Sequence, residues 1–455
     1  MILISFLSLQ ILSSWTEPLN ISNTDSMSLY PEICVDKRGW VHCVFQDNTR
    51  TGYNYFELLY TYNDGTGWIE PIYVYENPSY YPVVIVDTLN RVHIAWDDLD
   101  SGRIKWTYFD GDTWTEPVSV TSDVPYQCGA ARFSLDPFTG YIHMVFCSGG
   151  EYEIWYKFFD GTSWSPAENV SSDTATSSWA DIAVDKMGRV HIVWMDYETY
   201  DVFYRMKDEN GWGEVIHLQP YTPSTQSCDP KIAVDLNNNP HIVWEERTSP
   251  EYVIYTYFDG SGWNIIKVDS GEVGLPVIAM DMYDRAHIIY FKDYKLYYVC
   301  YDGTTKIRGP EMINPSDPVN ALIPAIAVDN QYIHCVFSEG KTPYNGTNEI
   351  WYSYREMPSF IEEYGRLEDY SSMVYDEFSF SFSLDKISPK FKIYCNYIIL
   401  RSVKTSHGYV RNIFFAFELQ STPFRRIHIY SWLNPYYSAL PVNKIGDNNS
   451  FNIMF

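Results

Sequence analysis

The sequence predicts an all-β chain folded as a seven-bladed β-propeller of four-stranded antiparallel blades. Three observations predict it. Seven histidines, His42, His93, His143, His191, His241, His287 and His334, recur at gaps of 51, 50, 48, 50, 46 and 47 residues. Each follows an aspartate (Asp36, Asp87, Asp136, Asp185, Asp235, Asp281, Asp329) by about six residues and precedes an aromatic by three. A fixed period near 50 residues is the mark of a repeat architecture. The third observation is that the N-terminal segment from Trp15 to Ser22 matches an internal one, Trp114 to Thr121, almost residue for residue.

Each repeat supplies four short strands. Strand A is the run Ile182-Ala183-Val184-Asp185 and strand B the run Val190-His191-Ile192-Val193-Trp194. Strand C carries paired aromatics such as Trp155-Tyr156, and strand D begins at the tryptophan after an Asp-Gly turn, as in Asp160-Gly161-Thr162-Ser163-Trp164. Short β-branched and aromatic runs punctuated by Asp, Asn and Gly are strand-and-hairpin chemistry. No stretch shows sustained helical periodicity with caps. Four antiparallel strands per repeat is a propeller blade. Strands A and B read as continuous apolar runs, as inner strands covered on both faces should.

Repeat seven has strands A to C (Ala325–Asp329, Ile333–Phe337, Glu349–Tyr354) and no tryptophan-led fourth. The N-terminal strand from Trp15 therefore closes the last blade, pairing two edges that otherwise invite aggregation. The expected division is residues 1–13 as a signal peptide, 14–356 as the propeller and 357–455 as an irregular C-terminal extension, a degenerate sorting domain or a disordered tail.

Residues Met1–Ser13 are apolar, of the length of a signal-peptide core and too short to span a bilayer. Export is expected, to the outside or cell surface of a prokaryote. Residues 1–356 hold 22 Lys+Arg against 49 Asp+Glu, whereas residues 357–455 hold 10 against 9 and lack the Asp–His register. Within that extension Phe378–Leu384 alternates like a strand. The stretch from Leu384 to Pro389 loosely resembles the start of bacterial C-terminal sorting β-domains, without their Pro-Asn-Pro-Phe opening. The net charge of −26 disfavours nucleic acid as a partner.

A residue present once per blade at one register serves the blade. The seven aspartate–histidine pairs are therefore read as hydrogen bonds across the A–B hairpin, satisfying two buried polar groups together. The eight cysteines have no zinc spacing. Cys34, Cys43 and Cys335 replace aliphatics, and Cys128 and Cys147 flank one hairpin, where a disulfide is the alternative to two buried thiols. Asp98-x-Asp100-x-Gly102 has oxygens at alternate positions like part of a calcium loop but lacks the rest, so no cofactor is expected, calcium being the one candidate.

Function should sit where the repeat stops being regular. The B–C loops vary and are acidic (Asp47, Asp97, Asp98, Asp100, Glu151, Asp196, Glu245, Glu246, Asp293, Glu339), and variable loops on a rigid scaffold are where binding lives. Four residues before the strand-A aspartate stand Glu32, Val83, Arg132, Asp181, Lys231, Val277 and Ala325, with Tyr30, Tyr81 and Trp179 two residues earlier. This places Glu32, Arg132, Asp181 and Lys231 at the channel mouth, with Tyr81 and Trp179 as stacking plates. Mixed charges under aromatic faces suit a polar ligand such as a sugar; the competing reading is a set of ion pairs sealing the channel.

The turns Asp64-Gly65, Asp110-Gly111, Asp160-Gly161 and Asp259-Gly260, each with a tryptophan four residues after its aspartate, resemble degenerate Asp-box repeats of sialidases and sialidase-like propellers. The resemblance spans about residues 15–356. It implies a propeller fold and, for a full member, three arginines clamping a carboxylate, a tyrosine–glutamate nucleophile and an aspartate acid/base. Here the serine two residues before the box aspartate is Tyr62, Tyr108, Phe158 or Tyr257. Arg50, Arg103, Arg132 and Arg247 lie near the loop face, and no catalytic set carries over. The expected function is an exported, non-catalytic, monomeric propeller binding glycan or extracellular protein. The alternative is a sialidase-like or polysaccharide-active enzyme using the channel mouth, with catalytic residues unknown. His217, the one propeller histidine off the register, lies in an outer strand and argues against a lyase.

Overall fold

A computed structural model describes residues 14–51, 55–149, 152–171, 176–218, 220–221, 226–314, 320–340, 348–357, 381–382, 392–405, 408–421 and 425–432. The expected signal segment 1–13 and Glu151 lie outside them. The chain divides into two units, Met1–Gly365 and Arg366–Phe455. The described residues are strands, turns and loops throughout, and no helix among them is long and apolar enough to cross a membrane.

The first unit is a propeller of seven four-stranded antiparallel blades. Blade 2 shows the plan: Ser79–Val86, Val92–Asp98, Arg103–Phe109 and Val118–Ser119, paired in that order from the axis outward. The innermost strands of the other blades are Ser28–Val35, Cys128–Leu135, Ser177–Val184, Gln226–Val234, Val273–Met280 and Asn320–Val328. In blade 4 the outer edge is split between Gly211–Trp212 and Ile216–Leu218, which both pair with Val202–Asp208. Strand B is buried along its whole length in blades 1 and 4, because neighbouring blades cover both of its faces.

The ring closes as the sequence predicts. Leu19 pairs with Tyr352 and Asn20 with Trp351. The amides of Thr16 and Ile21 extend the pairing, donating to the carbonyls of Tyr354 (2.9 Å) and Ile350 (2.8 Å).

Each A–B hairpin is tied by its aspartate. In blade 4, Asp185 Oδ1 accepts the amides of Met187 (2.8 Å) and Arg189 (2.9 Å), and its Oδ2 lies 3.3 Å from His191 Nε2. The equivalent aspartate–histidine distances are 3.1 Å in blade 2, 3.0 Å in blade 6 and 3.3 Å in blade 7, lengthening to 3.5 Å in blade 1 and 3.4 Å in blade 5. Blade 3 departs: the Asp136 Oδ2 accepts the Thr139 hydroxyl at 2.5 Å instead.

A strand-C tyrosine completes the arrangement. Its hydroxyl meets the histidine Nδ1 at 2.7–2.8 Å in six blades, for example Tyr204 with His191 and Tyr298 with His287. Blade 2 has Trp106 at that place, stacked on His93. The strand-D tryptophan of the next blade then abuts this ring edge-on: Trp68 on Tyr352, Trp114 on Tyr60, Trp164 on Trp106, Trp212 on Tyr156 and Trp263 on Tyr204, at centroid distances of 4.9–5.6 Å. The core is this interlocking of aromatic wedges, one buried layer between each pair of blades.

The Asp-Gly turns are exposed hairpin turns. Asp160 Oδ1 accepts the amides of Thr162 and Ser163 at 2.8 Å, and Asp259 Oδ1 accepts those of Ser261 (2.8 Å) and Gly262 (3.0 Å). Cys34, Cys43, Cys128, Cys147, Cys228, Cys300 and Cys335 are free thiols, so the hairpin of Cys128 and Cys147 carries no disulfide.

In the second unit, where the sequence shows no repeat register, the described residues form one antiparallel sheet of Ser381–Phe382, Lys392–Thr405, Gly408–Ser421 and Arg425–Trp432 in chain order.

Candidate functional site

A break in every innermost strand builds the site. The A–B register shifts in all seven blades, between Leu29 and Glu32, Tyr80 and Val83, Gly129 and Arg132, Ser178 and Asp181, Cys228 and Lys231, Gly274 and Val277, and Leu322 and Ala325. The first residue of each bulge is left-handed: Tyr30, Tyr81, Ala130, Trp179, Asp229, Leu275 and Ile323 have φ between 48° and 53°. Non-glycine residues rarely adopt this conformation, which costs on the order of 1–3 kcal/mol each and persists only where the surroundings over-determine it.

The preceding blade supplies that support in three places. Gln46 Oε1 accepts the Tyr81 amide at 3.1 Å, the Asp97 carboxylate accepts the Ala130 amide at 2.9 and 3.0 Å, and Glu245 Oε2 accepts the Leu275 amide at 2.8 Å. Each acceptor directly follows the strand-B aromatic of its blade. Glycine precedes two of these bulges because a Cβ on Gly129 or Gly274 would press into the Asp97 or Glu245 carboxylate.

The bulges turn side chains over the axis, where they line a cavity of about 560 Å³ at the channel mouth. The cavity brings together all six residues singled out in the sequence: Glu32, Tyr81, Arg132, Trp179, Asp181 and Lys231. Tyr30 and Tyr81 meet edge to face at 4.7 Å, Tyr81 and Trp179 at 6.0 Å, and Trp179 Nε1 donates to the Tyr197 hydroxyl at 2.8 Å. Ala130, the small residue between Tyr81 and Trp179 around the ring, leaves room for these two rings to touch. Leu275, Pro276, Ile323 and Pro324 form an aliphatic wall on blades 6 and 7.

Below the rings lie two anions and two cations. Arg132 Nε stands 3.8 Å from Glu32 Oε1, longer than a good charge-assisted hydrogen bond. Asp181 Oδ2 accepts the Ile232 amide at 2.9 Å, and Arg132 donates to the Ala131 carbonyl. Burial raises the pKa of Glu32 and of Asp181, against the pull of Arg132 and Lys231. Burial, with help from Arg132, lowers that of Lys231. The four charges balance in number, yet desolvation dominates each of these three shifts. The quartet does not seal the channel by tight pairing; it presents half-buried donors and acceptors to whatever enters.

Sequence reasoning missed Asp229 and Tyr197, and it read Asp97 as an acidic loop residue without its role at a bulge. Asp229 is a bulge residue whose Oδ2 lies 3.2 Å from Arg247, and Arg247 also meets Glu245 at 2.5 Å. Asp97 sits behind the Ala130 bulge, where burial pushes its carboxyl up to about 7. Tyr197 extends the aromatic wall. The signal for the bulges was present: proline follows the left-handed residue at Pro31, Pro82, Pro230, Pro276 and Pro324.

Of the arginines near the loop face, Arg132 and Arg247 line the cavity. Arg50 pairs with Glu76 at 2.9 Å, and Arg103 donates to the carbonyls of Thr121 and Tyr126. Among the described residues no group of three or more His, Cys, Asp or Glu is arranged to hold a metal ion. The Asp98 carboxylate accepts from Ser101 and from the Tyr75 hydroxyl. His217 lies 3.3 Å from Asp201 on the outer edge of blade 4.

No family model matches the chain. No curated protein matches it either. Solved structures do match in fold. A lectin, BP39L from Burkholderia pseudomallei, aligns with a TM-score of 0.55 at 11% identity over 71% of this chain and 96% of its own. The polysaccharide lyase Uly1 aligns with a TM-score of 0.51 at 12% identity, over 74% and 91%. A protein of unknown function from Dyadobacter fermentans aligns with a TM-score of 0.50 at 11% identity, over 76% and 99%. At these identities the likeness is one of fold alone, and the fold of this chain is a β-propeller.

Proposed function

We propose that this propeller binds a glycan at its channel mouth, without catalysis. One observation carries the reading: Tyr30, Tyr81 and Trp179 stand over Glu32, Arg132, Asp181 and Lys231 inside one cavity. Aromatic faces stack on the apolar faces of sugar rings, while half-buried charges of both signs orient hydroxyl, carboxylate or amine groups. Lectins and polysaccharide-active enzymes among the fold's relatives are consistent with this reading. Export to the outside or the surface of the cell belongs to the same proposal and rests on the apolar segment Met1–Ser13; N-terminal sequencing of protein recovered from culture medium tests it.

Screening the full chain against a glycan panel, with Trp179→Ala and Arg132→Ala beside it, tests the binding. Retention of a defined set of glycans, lost in both variants, is expected. Retention unaffected by either change would move the site away from the mouth.

A second reading is glycoside hydrolysis. It is favoured by two carboxyl groups, Glu32 and Asp181, whose pKa values burial raises within the same cavity, as a general acid requires. Turnover of a chromogenic sialoside or uronide, abolished in Asp181→Asn or Glu32→Gln, would put this reading first.

A further inference from the structure

We propose that the ligand is a chain of sugar units, and that it leaves the mouth across blade 4 along Tyr197 and Tyr200. This rests on the glycan reading and adds the size and direction of the ligand. The aromatic wall lines the mouth as far as Tyr197 and continues past it to Tyr200. It runs from Tyr30 to Tyr81 (4.7 Å), to Trp179 (6.0 Å), through the 2.8 Å indole–hydroxyl hydrogen bond to Tyr197, and on to Tyr200 (6.1 Å). Tyr197 is 40% exposed.

The outer end of this run departs from the repeat. In blade 4 the Tyr197 amide donates to the carbonyl of Thr176, just before the innermost strand. The residues making the same bond in blades 1, 2, 3 and 6 are Asn48, Leu99, Gly149 and Asp293, none of them aromatic. A ring at this place is therefore not required by the blade.

The turn that carries both tyrosines is rigid. Asp196 Oδ1 accepts the amides of Glu198 (2.6 Å) and Thr199 (2.9 Å), and the Asp196 carbonyl accepts that of Tyr200 (2.8 Å). Tyr200 is left-handed at φ 55°, and its carbonyl takes the Ser227 amide of blade 5 at 2.8 Å. Rigid, partly exposed rings in a continuous line present stacking area at little entropic cost. A single sugar seated at the axis leaves Tyr197, at the edge of the mouth, and Tyr200 beyond it unused; a chain reaches both.

The experiment is calorimetric titration of the full chain with three oligosaccharide ladders from one unit upward: cello-oligosaccharides (neutral), oligogalacturonides (anionic) and chitosan oligosaccharides (cationic). In at least one ladder the affinity should rise about tenfold between two and five units, the gain expected from a few added ring contacts. Tyr197→Ala should weaken the five-unit ligand about three- to tenfold more than it weakens the two-unit ligand, while Tyr197→Phe, which keeps the ring, should retain the wild-type ratio of the two affinities. An affinity independent of chain length overturns the proposal and leaves the glycan reading standing. So does a Tyr197→Ala loss equal for short and long ligands, since Tyr197 then only positions Trp179. Binding of no ladder, together with no retention on the glycan panel, overturns both.

Discussion

Trp15 lies edge-on against Tyr298, with ring centroids 5.5 Å apart and planes at 74°. The contact joins the N-terminal strand, which completes blade 7, to the tyrosine that holds His287 in blade 6. It is the same wedge that Trp114 makes on Tyr60 and Trp263 on Tyr204. Trp15 is buried, so Trp15→Ala should cost roughly 3–5 kcal/mol, as truncation of a buried tryptophan does. Deleting residues 1–23 should do more, exposing the outer edge of Glu349–Glu356 and promoting aggregation. Thermal melts and light scattering check both; a soluble deletion as stable as the full chain would contradict ring closure by this strand.

His191 joins two buried groups, the Tyr204 hydroxyl at 2.7 Å and Asp185 at 3.3 Å. His191→Ala should therefore destabilise by roughly 1–3 kcal/mol, and Tyr204→Phe by about 1 kcal/mol, because the former takes a hydrogen bond from each of two buried groups, Asp185 keeping Arg189, and the latter from one. Denaturant unfolding measures both. Neither change should alter retention on the glycan panel, since the triad serves the blade.

Two buried groups of blades 2 and 3 pull the pH dependence of stability in opposite directions. Burial lowers the His143 pKa from 6.5 to about 4. The unfolded chain therefore binds the extra proton, and the contribution of His143, full above pH 6.5, is lost as pH falls toward 4. Asp97 has the opposite sign. Its carboxyl is raised from 3.8 to about 7, chiefly by burial, so its contribution is full below pH 3.8 and is lost as pH rises through 7. His143→Gln should flatten the fall in Tm on acidification from pH 6.5, and Asp97→Asn should steepen it while raising Tm at pH 8. Equal pH profiles for wild type and both variants would contradict these assignments.

Gly129 is required by its neighbour in the preceding blade. A Cβ there would press into Asp97, so Gly129→Ala should cost roughly 1–3 kcal/mol, the usual cost of overpacking. The double variant Gly129→Ala, Asp97→Ala should be less destabilised than the sum of its parts, because the clash is removed with the carboxylate. Additive effects in a double-mutant cycle would mean that the two residues do not meet.

Blade number, strand order, closure by Trp15 and the aspartate–histidine ties of six blades were legible because each repeats an internal pattern, whereas blade 3 keeps the aspartate–histidine spacing and lacks the tie. The tyrosine partner was not. Its separation from the histidine varies from 11 to 18 residues as the B–C connection changes length, so no register betrays it. Glu32, Arg132, Asp181 and Lys231 were placed at the mouth by counting back from the aspartate, and the cavity contains all four. The conformation that turns Tyr81 and Trp179 over the axis was hidden, since no glycine marks the left-handed position. Only the proline after it, in five blades of seven, hints at a bulge. Asp229, and the bulge-supporting role of Asp97, an acid named only as part of the loop face, were hidden for a different reason: they depend on contacts across blades or across a hairpin.

The measurement that bears most directly on the mouth as binding site is calorimetric stoichiometry. A site on the propeller axis exists once per chain, whereas sites in the grooves between repeated blades exist several times. Titrating the full chain with a glycan retained on the panel should give one site per chain, with the heat lost in Trp179→Ala and the melting temperature of that variant close to wild type. Several sites per chain, or an unchanged isotherm in Trp179→Ala, would contradict binding at the mouth.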